Sequence, residues 1–557
     1  MKNITADNIS IECNNNYVGS IAGQIYTPIG GNITATNINI KSNVDYIGGL
    51  FGRIYSTESK TFSKITISDS NIQGRNYVGG ICGYRSGNTT SKVINLTTKD
   101  TEVHGNNYVG GVGGYINDSY NLYAENVNVN GASYVGGIAG SSSSYIMHVK
   151  DSTITGTGNY VGGIVGIGDY NLQHSEIVNS EIRSTGNYVG AAFGYINKNT
   201  NNINQVYAKD CTVEGNSYVG GITGGLKRYL QDSYTNSKVI ATNHSAGGLV
   251  GYLDNANMTN AINQRRVYRN IVAGATVQGS SNVGGLIGSI AEDLYMPETY
   301  FYGNFIQADL VSNTPTTMSL GIGNKPNQTQ YLANTYFYKF STINGENPNE
   351  TNEVFVTEEK YLIGDQLKEQ SVYTSKMRFT SNWTFTSLKN NKYPLLNSSN
   401  YNYQEGIDLP KDEEHMVDNI SSNNTNVDTL ENNNEELEQS FEYNKKTIQT
   451  YSTYSVITSS DGNQVTRNAK LYVKDNTLYA IPSVVSTNEE SEIIPVANNL
   501  IVDSYNGKEY ETVLGSDGKL YDLKEPITYP ESFVNSDIES NLDRGISSVI
   551  TYTRQEK

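Results

Sequence analysis

The chain of 557 residues is short of cysteine, proline, tryptophan and long apolar runs, and each shortage excludes something. Its cysteines, Cys13, Cys82 and Cys211, fall at different offsets within the sequence pattern described below and form no CxxC, so they read as unpaired thiols and not as a disulfide ladder. Eleven prolines argue against a stiff Pro-rich stalk. No stretch approaches 18 apolar residues, so no membrane-spanning helix is expected. Met1 to Glu12 lacks a basic segment followed by an apolar one, so no signal peptide is visible. Basic excess is missing too. The formal net charge of −17 disfavours nucleic acid and anionic membranes as partners, since both attract Lys and Arg. Much of the acidity sits between Glu405 and Glu438, where eleven acids face the single base Lys411.

What the chain has in quantity is Gly, 54 residues, and Tyr, 43 against 12 Phe and 1 Trp. Tyr buries a ring while keeping a hydroxyl in water, which suits thin, half-exposed structures. Both residues are periodic. Tyr46-Ile47-Gly48-Gly49-Leu50-Phe51-Gly52 matches Tyr77-Val78-Gly79-Gly80-Ile81-Cys82-Gly83 and Tyr108-Val109-Gly110-Gly111-Val112-Gly113-Gly114. Further copies start at Tyr17, Tyr134, Tyr160, Tyr188 and Tyr218, and degenerate ones run through Ala246 to Gly251 and Val283 to Gly288. A stretch of alternating apolar residues precedes each motif, such as Ser63-Lys64-Ile65-Thr66-Ile67-Ser68, followed by a turn rich in Gly, Asn and Ser. Each unit therefore reads as strand, turn, short strand, turn, and no unit shows a helical period.

One such unit cannot bury its apolar face, but stacked units can. The expected fold is all-β, a parallel β-helix (solenoid) of about ten repeats. Val, Ile and Leu form inward ladders and Tyr stacks on Tyr from coil to coil. The Gly-Gly pair either turns a corner at positive φ or lets neighbouring backbones approach closely. Residues 1–295 form the solenoid, 296–400 its cap with a short helix within Thr357 to Gln370, 401–440 an acidic linker, and 441–557 a small β domain. Within that last domain two hairpins are expected, one turning at Lys474-Asp475-Asn476 and one at Asp517-Gly518, with a β-prone stretch at Ile546 to Thr553.

Chemistry is harder to find. A zinc protease of the HExxH type needs two His one helical turn apart. His104, His148, His174, His244 and His415 are far apart in sequence and read as surface residues. Asp151, Asp169, Glu176, Glu181 and Asp210 are the acids a solenoid hydrolase or lyase would use, and nothing in their spacing brings them together. Asp412-Glu413-Glu414 and Glu435-Glu436 read as solvated charge. No catalytic, cofactor-binding or metal-binding residue is therefore assigned, and no cofactor is expected in this chain. The Tyr row is a structural stack in one reading and a sugar-binding aromatic face in another.

The unit Tyr-Val-Gly-Gly-Ile/Leu-x-Gly, with Ala246-Gly247-Gly248-Leu249-Val250-Gly251-Tyr252 among its nearest copies, resembles the GLUG repeat of bacterial surface proteins, over roughly residues 1 to 290. Arrays of that family often close on Trp-x-Phe followed by Tyr-Pro-x-Leu, which stand here as Trp383-Thr384-Phe385 and Tyr393-Pro394-Leu395-Leu396. Such repeats occur in the non-catalytic N-terminal part of IgA1-protease-type zinc metalloproteases of Gram-positive bacteria, and in adhesins. The stretch from Lys470 to Leu523 is similar to the β-rich region between repeats and protease in the first group. The resemblance implies a non-catalytic stalk or recognition region of a secreted or cell-surface protein, continuous with further domains, with any zinc in a catalytic domain outside this chain. The implied partners are a host glycoprotein, immunoglobulin or glycan. The alternatives are a stand-alone adhesin binding along the rod and a solenoid carbohydrate-active enzyme.

Overall fold

A computed structural model describes residues 3–410, apart from 27–30, 57–61, 88–92, 169–171, 198–201, 228, 255–266, 292–300, 315–316, 325–331, 333 and 346–359. Beyond 410 it describes the paired strands between 440 and 551. The chain divides into two units, Met1–Pro410 and Lys411–Lys557.

The first unit is a parallel β-solenoid. The stretches preceding the motifs, and the Tyr-Val-Gly strands, join one 28-stranded sheet, and the strand closing each motif joins an 11-stranded sheet. Register is kept from coil to coil. Ile11 stands opposite Ile40, Ile40 opposite Ile72, and the same inward row continues through Val103, Val129, Ile154, Ile182 and Val213 to Val239 and Val277. A second inward row runs from Ile47 through Val78, Val109, Val135, Val161 and Val189 to Val219. Apart from Ile11, which is partly buried against it, these side chains are buried in one continuous core. The alternation of apolar and polar residues in strands such as Ile33–Ser42 is what turns one edge inward and the other to water.

Of the two roles open to the Gly-Gly pair, the structure shows close approach and gives the corner to another residue. The left-handed residue of each motif is the tyrosine: Tyr17, Tyr46, Tyr77, Tyr108, Tyr134, Tyr160, Tyr188 and Tyr218 all have φ between 55° and 66°, and Ser245 and Asn282 take the place in the degenerate copies. The motif glycines serve close approach instead. A Cβ on Gly137 would lie 2.2 Å from the carbonyl oxygen of Gly163 in the next coil. One on Gly114 would lie 2.5 Å from the backbone of Tyr77 in the coil before. A second row of corners is formed by Asn8, Asn37, Asp69, Asp100, Asn126, Asp151, Asn179 and Asp210, also left-handed. Asn and Asp tolerate that conformation, and their side chains bridge coils here: Asn126 Nδ2 donates to Asp100 Oδ1 at 2.6 Å and Asn236 Nδ2 to Asp210 Oδ1 at 2.7 Å.

The solenoid continues past the boundary drawn at residue 295. Phe301–Val311, Asn334–Tyr338 and Tyr361–Leu362 add further parallel strands to the same sheet. The chain then leaves the stack through a single helical turn, Gly364–Leu367, and a π-helical turn, Val372–Lys376. Residues 377–410 do not plug the end of the core. They run back along the outer flank of the solenoid as a strap, in which Trp383–Thr384 pairs antiparallel with Leu395–Leu396. Tyr393, buried in the strap, donates from its hydroxyl to Gln307 Oε1 at 2.7 Å, and Tyr336 donates to the carbonyl of Lys376 at 3.3 Å. Residues 401–410, expected to open the acidic linker, belong to this strap. Residues 411–439 lie outside the described residues.

The second unit is antiparallel throughout its described strands. Gln464–Lys474 and Thr477–Thr487 form the first expected hairpin, closing at Lys474 opposite Thr477. Glu509–Leu514 pairs with Leu520–Asp522 as the second, and Ile550–Thr551 adds to the edge of the same sheet beside Asn499–Val502. No helix among the described residues is long and apolar enough to cross a membrane, a statement that leaves β-barrels aside.

Candidate functional site

Two features of the solenoid surface carry polar chemistry, a tyrosine ridge along one corner and the flank beneath the strap. The ridge follows from the motif. With Tyr left-handed at the same place in every coil, its ring projects from the corner and meets the equivalent ring one coil on. Seven successive pairs from Tyr17 to Tyr218 stack at centroid distances of 4.5 to 5.3 Å, with interplanar angles of 3° to 22°. Each pair adds about 0.5–1.5 kcal/mol beyond the area it buries. The stack has a functional consequence. Inside it, each ring face is covered by the next ring, so what the ridge offers to water is a line of ring edges and hydroxyls. A sugar ring stacked flat on an aromatic face has no platform within the run. Burial between neighbouring rings pushes the Tyr77 phenol up to about 12 and Tyr188 higher still, which keeps these hydroxyls protonated.

The residue before each tyrosine forms a polar ladder beside the ridge. Asn76 Oδ1 accepts from Asn107 Nδ2 at 3.1 Å, and Asn159 Oδ1 accepts from the backbone N–H of Asn187 at 2.8 Å. Asp45 takes the place in its own coil and holds Arg75 through both oxygens, at 2.8 and 3.0 Å. The hydrogen bond from Arg75, the largest influence, keeps the Asp45 carboxyl below its ordinary range.

On the flank, one outward row reads Thr97, Tyr123, His148, Glu176, Tyr207, Tyr234, Ile271 and Phe305 in register. Two of the residues considered from sequence, His148 and Glu176, are therefore neighbours, although 28 positions separate them. They are not surface residues. His148 is 1% exposed and Glu176 fully buried. The Glu176 carboxylate meets His148 Nδ1 at 2.6 Å and accepts the backbone N–H groups of Asn402, at 2.6 Å, and Tyr403, at 3.1 Å. Tyr123 stacks on one face of the imidazole at 4.5 Å and Tyr403 approaches edge-on. Two coils on, Asp232 is likewise fully buried. It accepts both forks of Arg269 at 2.7 Å, Trp383 Nε1 at 3.0 Å and Asn382 Nδ2 at 2.9 Å. Tyr401 donates to the carbonyl of Gln205 at 2.5 Å, and Tyr207 to that of Glu405. Buried carboxylates need such donors, since an unpaired one costs several kcal/mol.

These contacts assign the acids to structure. Glu176 and Asp232 bind the strap, and their lone pairs are taken by N–H donors. Asp151 and Asp210 are corner residues whose carboxylates accept from Asn179 and Asn236. Glu181 pairs with Arg183. Asp169 and His415 lie outside the described residues. His104 faces Glu102 at 3.4 Å, while burial lowers the pKa of both His174 and His244. Among the described residues no three of His, Cys, Asp and Glu converge. Glu176 is occupied by His148 Nδ1 and the strap N–H groups, while His148 Nε2 is buried with no hydrogen-bond partner among the described residues. Cys13, Cys82 and Cys211 are free thiols. Nothing local in the sequence marks the strap or Asp232. Asp232 stands before Ser233 and the short strand Tyr234–Thr235, a polar context that many exposed turns share. No family model, no curated protein and no solved structure matches the chain.

Proposed function

We propose that the chain is the stalk and recognition region of a secreted or cell-surface bacterial protein. On the GLUG resemblance, it precedes the protease region of an IgA1-protease-type zinc metalloendopeptidase. In this reading the chain does no catalysis, zinc belongs to that protease region, and the solenoid spaces and docks. The observation that supports it is the continuous parallel pairing from Ile4 to Leu362, with register shifts only at Ala241/His244, Ala273/Ala275 and Tyr302/Asn304 among the described residues: each coil adds a rise of about 4.8 Å over one core. A structure of this kind transmits position along an axis and presents long lines of identical groups to a partner.

The test uses the parent protein with residues 65–121 removed, which joins Lys64 to Leu122. Ile65, Leu96 and Leu122 share one register position, so two whole coils leave and the ladders close again. The expected result is altered cleavage of a folded host glycoprotein, in rate or in site choice, with unchanged cleavage of a short peptide. Unchanged handling of both substrates would remove the docking role.

A further inference from the structure

The ridge is flanked at its N-terminal coils by a second outward row, Gln24, Arg53, Tyr84 and Tyr115, one residue per coil in register. Arg53 lies at the centre of an aromatic patch. Its guanidinium is 5.4 Å from the ring centroid of Tyr55 and 5.4 Å from that of Tyr84. Tyr84 in turn meets the edges of Tyr46, at 5.8 Å, and Tyr77, at 5.6 Å, which joins the patch to the ridge. On the other side Tyr26 and Tyr55 are in edge contact at 6.2 Å. Among the described residues these two are the most exposed tyrosines, at 62% and 39%. Unlike the stacked ridge tyrosines, they offer ring surface to water.

Among the described residues no carboxylate compensates the charge at the centre. In this chain of net charge −17, Arg75 pairs with Asp45, Arg183 with Glu181 and Glu214, and Arg269 with Asp232. Among the described residues Arg53 has no carboxylate partner, and its Nε is buried without a hydrogen-bond acceptor. A half-buried guanidinium held between two rings keeps its charge and loses part of its water. An anion that brings a flat apolar side of its own would satisfy both the fork and the rings.

We propose that Arg53, with Tyr26, Tyr55 and Tyr84, forms a binding site for a glycan ending in one carboxylated sugar ring of the sialic-acid type. The carboxylate takes the outward edge of the guanidinium, the sugar's C–H face lies against Tyr55 and Tyr26, and Gln24 and the ridge hydroxyls meet its hydroxyl groups. One cation in this row argues for one carboxylate. A polyuronate laid along the axis would carry a charge about every coil at a rise of about 4.8 Å, and the row holds Gln24, Tyr84 and Tyr115 where those charges would fall. The proposal rests on the recognition half of the reading above. It is tested on this chain without any protease, so either can fail alone.

The experiment measures binding of the full chain to immobilised sialyllactose, to lactose, to sialyllactose methyl ester, to a glucuronate-containing oligosaccharide and to inorganic phosphate as a soluble competitor. Binding is expected to sialyllactose alone. Arg53→Gln should weaken it about 10- to 100-fold, since a charge-assisted contact to a carboxylate is lost. Tyr55→Ala should weaken it less, and Arg75→Gln, which removes a paired arginine of the same surface, should leave it unchanged. Far-UV circular dichroism confirms that the variants fold. Equal binding of sialyllactose and its ester, competition by phosphate, preference for the glucuronate chain, or full binding by Arg53→Gln would each overturn the proposal.

Discussion

Replacing Asp232 by Asn changes one atom and should detach much of the strap. The carboxylate accepts four N–H donors, two from Arg269 and one each from Trp383 and Asn382, at 2.7 to 3.0 Å. An amide offers one oxygen and turns an NH2 toward the remaining donors, so donor faces donor in a fully buried site. Arg269 is left with its charge and without its partner. Breaking a buried pair in this way costs about 3–5 kcal/mol, and because the Arg269 side chain keeps 11% of its exposure the lower end applies, about 3 kcal/mol. The assay is built into the molecule. Trp383 is the only tryptophan of the chain, donates directly to Asp232 and stacks on Phe379, so its emission reports on the strap around this contact. In the full chain, denaturant should shift Trp383 emission to the red at a lower concentration than the one that removes the far-UV β signal, and Asp232→Asn should move only the first transition. A loss below about 1 kcal/mol with unchanged emission would refute the reasoning, because a buried carboxylate of that kind could not then be anchoring the strap.

Three further outcomes follow from the packing. Gly137→Ala places a Cβ 2.2 Å from the carbonyl oxygen of Gly163 and should destabilise the solenoid by about 3 kcal/mol in urea unfolding, whereas a loss near zero would show that neighbouring coils can slide apart. Burial pushes the thiols of Cys82 and Cys211 up to about 12, so a thiol reagent at pH 8 should titrate only Cys13 in the native chain and all three after denaturation. Burial also raises Tyr77 and Tyr403 to about 12. The unfolded chain releases these protons near pH 10 while the folded one holds them, so stability is full below pH 10 and falls from there to about pH 12. A flat urea midpoint across that window would contradict the shifts.

Much of the solenoid was legible because its cause is local and repeated. The motif spacing, the alternation in stretches such as Ser63 to Ser68 and the recurring Tyr each state a constraint that only stacking satisfies, and the 28- and 11-stranded sheets follow from it. The role of glycine was open between two readings, because a Gly-Gly pair looks the same whether it bends the chain or admits a neighbour. The φ of 57° at Tyr134 and the 2.2 Å approach at Gly137 decide for the second. The flank was illegible for a different reason. His148 and Glu176 sit at matching places only when unequal repeat lengths are aligned by register, and their burial comes from Asn402 and Tyr403, more than 220 positions on. Nothing local marks them. The strap was likewise hidden: Trp383 beside Phe385 reads as the apolar plug of the cap, whereas Trp383 and Tyr393 lie along the side of the stack, against Asp232 and Gln307.

The coils are interchangeable units of length, and spin labels read this directly. Lys41 and Gln278 are both exposed, and they occupy one register row eight coil steps apart, through Gln73, His104, Asn130, Thr155, Arg183, Glu214 and Ile240. With the native cysteines replaced and labels at Lys41→Cys and Gln278→Cys, electron–electron resonance should give a backbone separation of about 38 Å at about 4.8 Å per step. Removal of residues 65–121 takes out two steps and should shorten it to about 29 Å, with an equally narrow distribution. An unchanged separation, or one that broadens without shortening, would contradict a solenoid whose coils add length one by one.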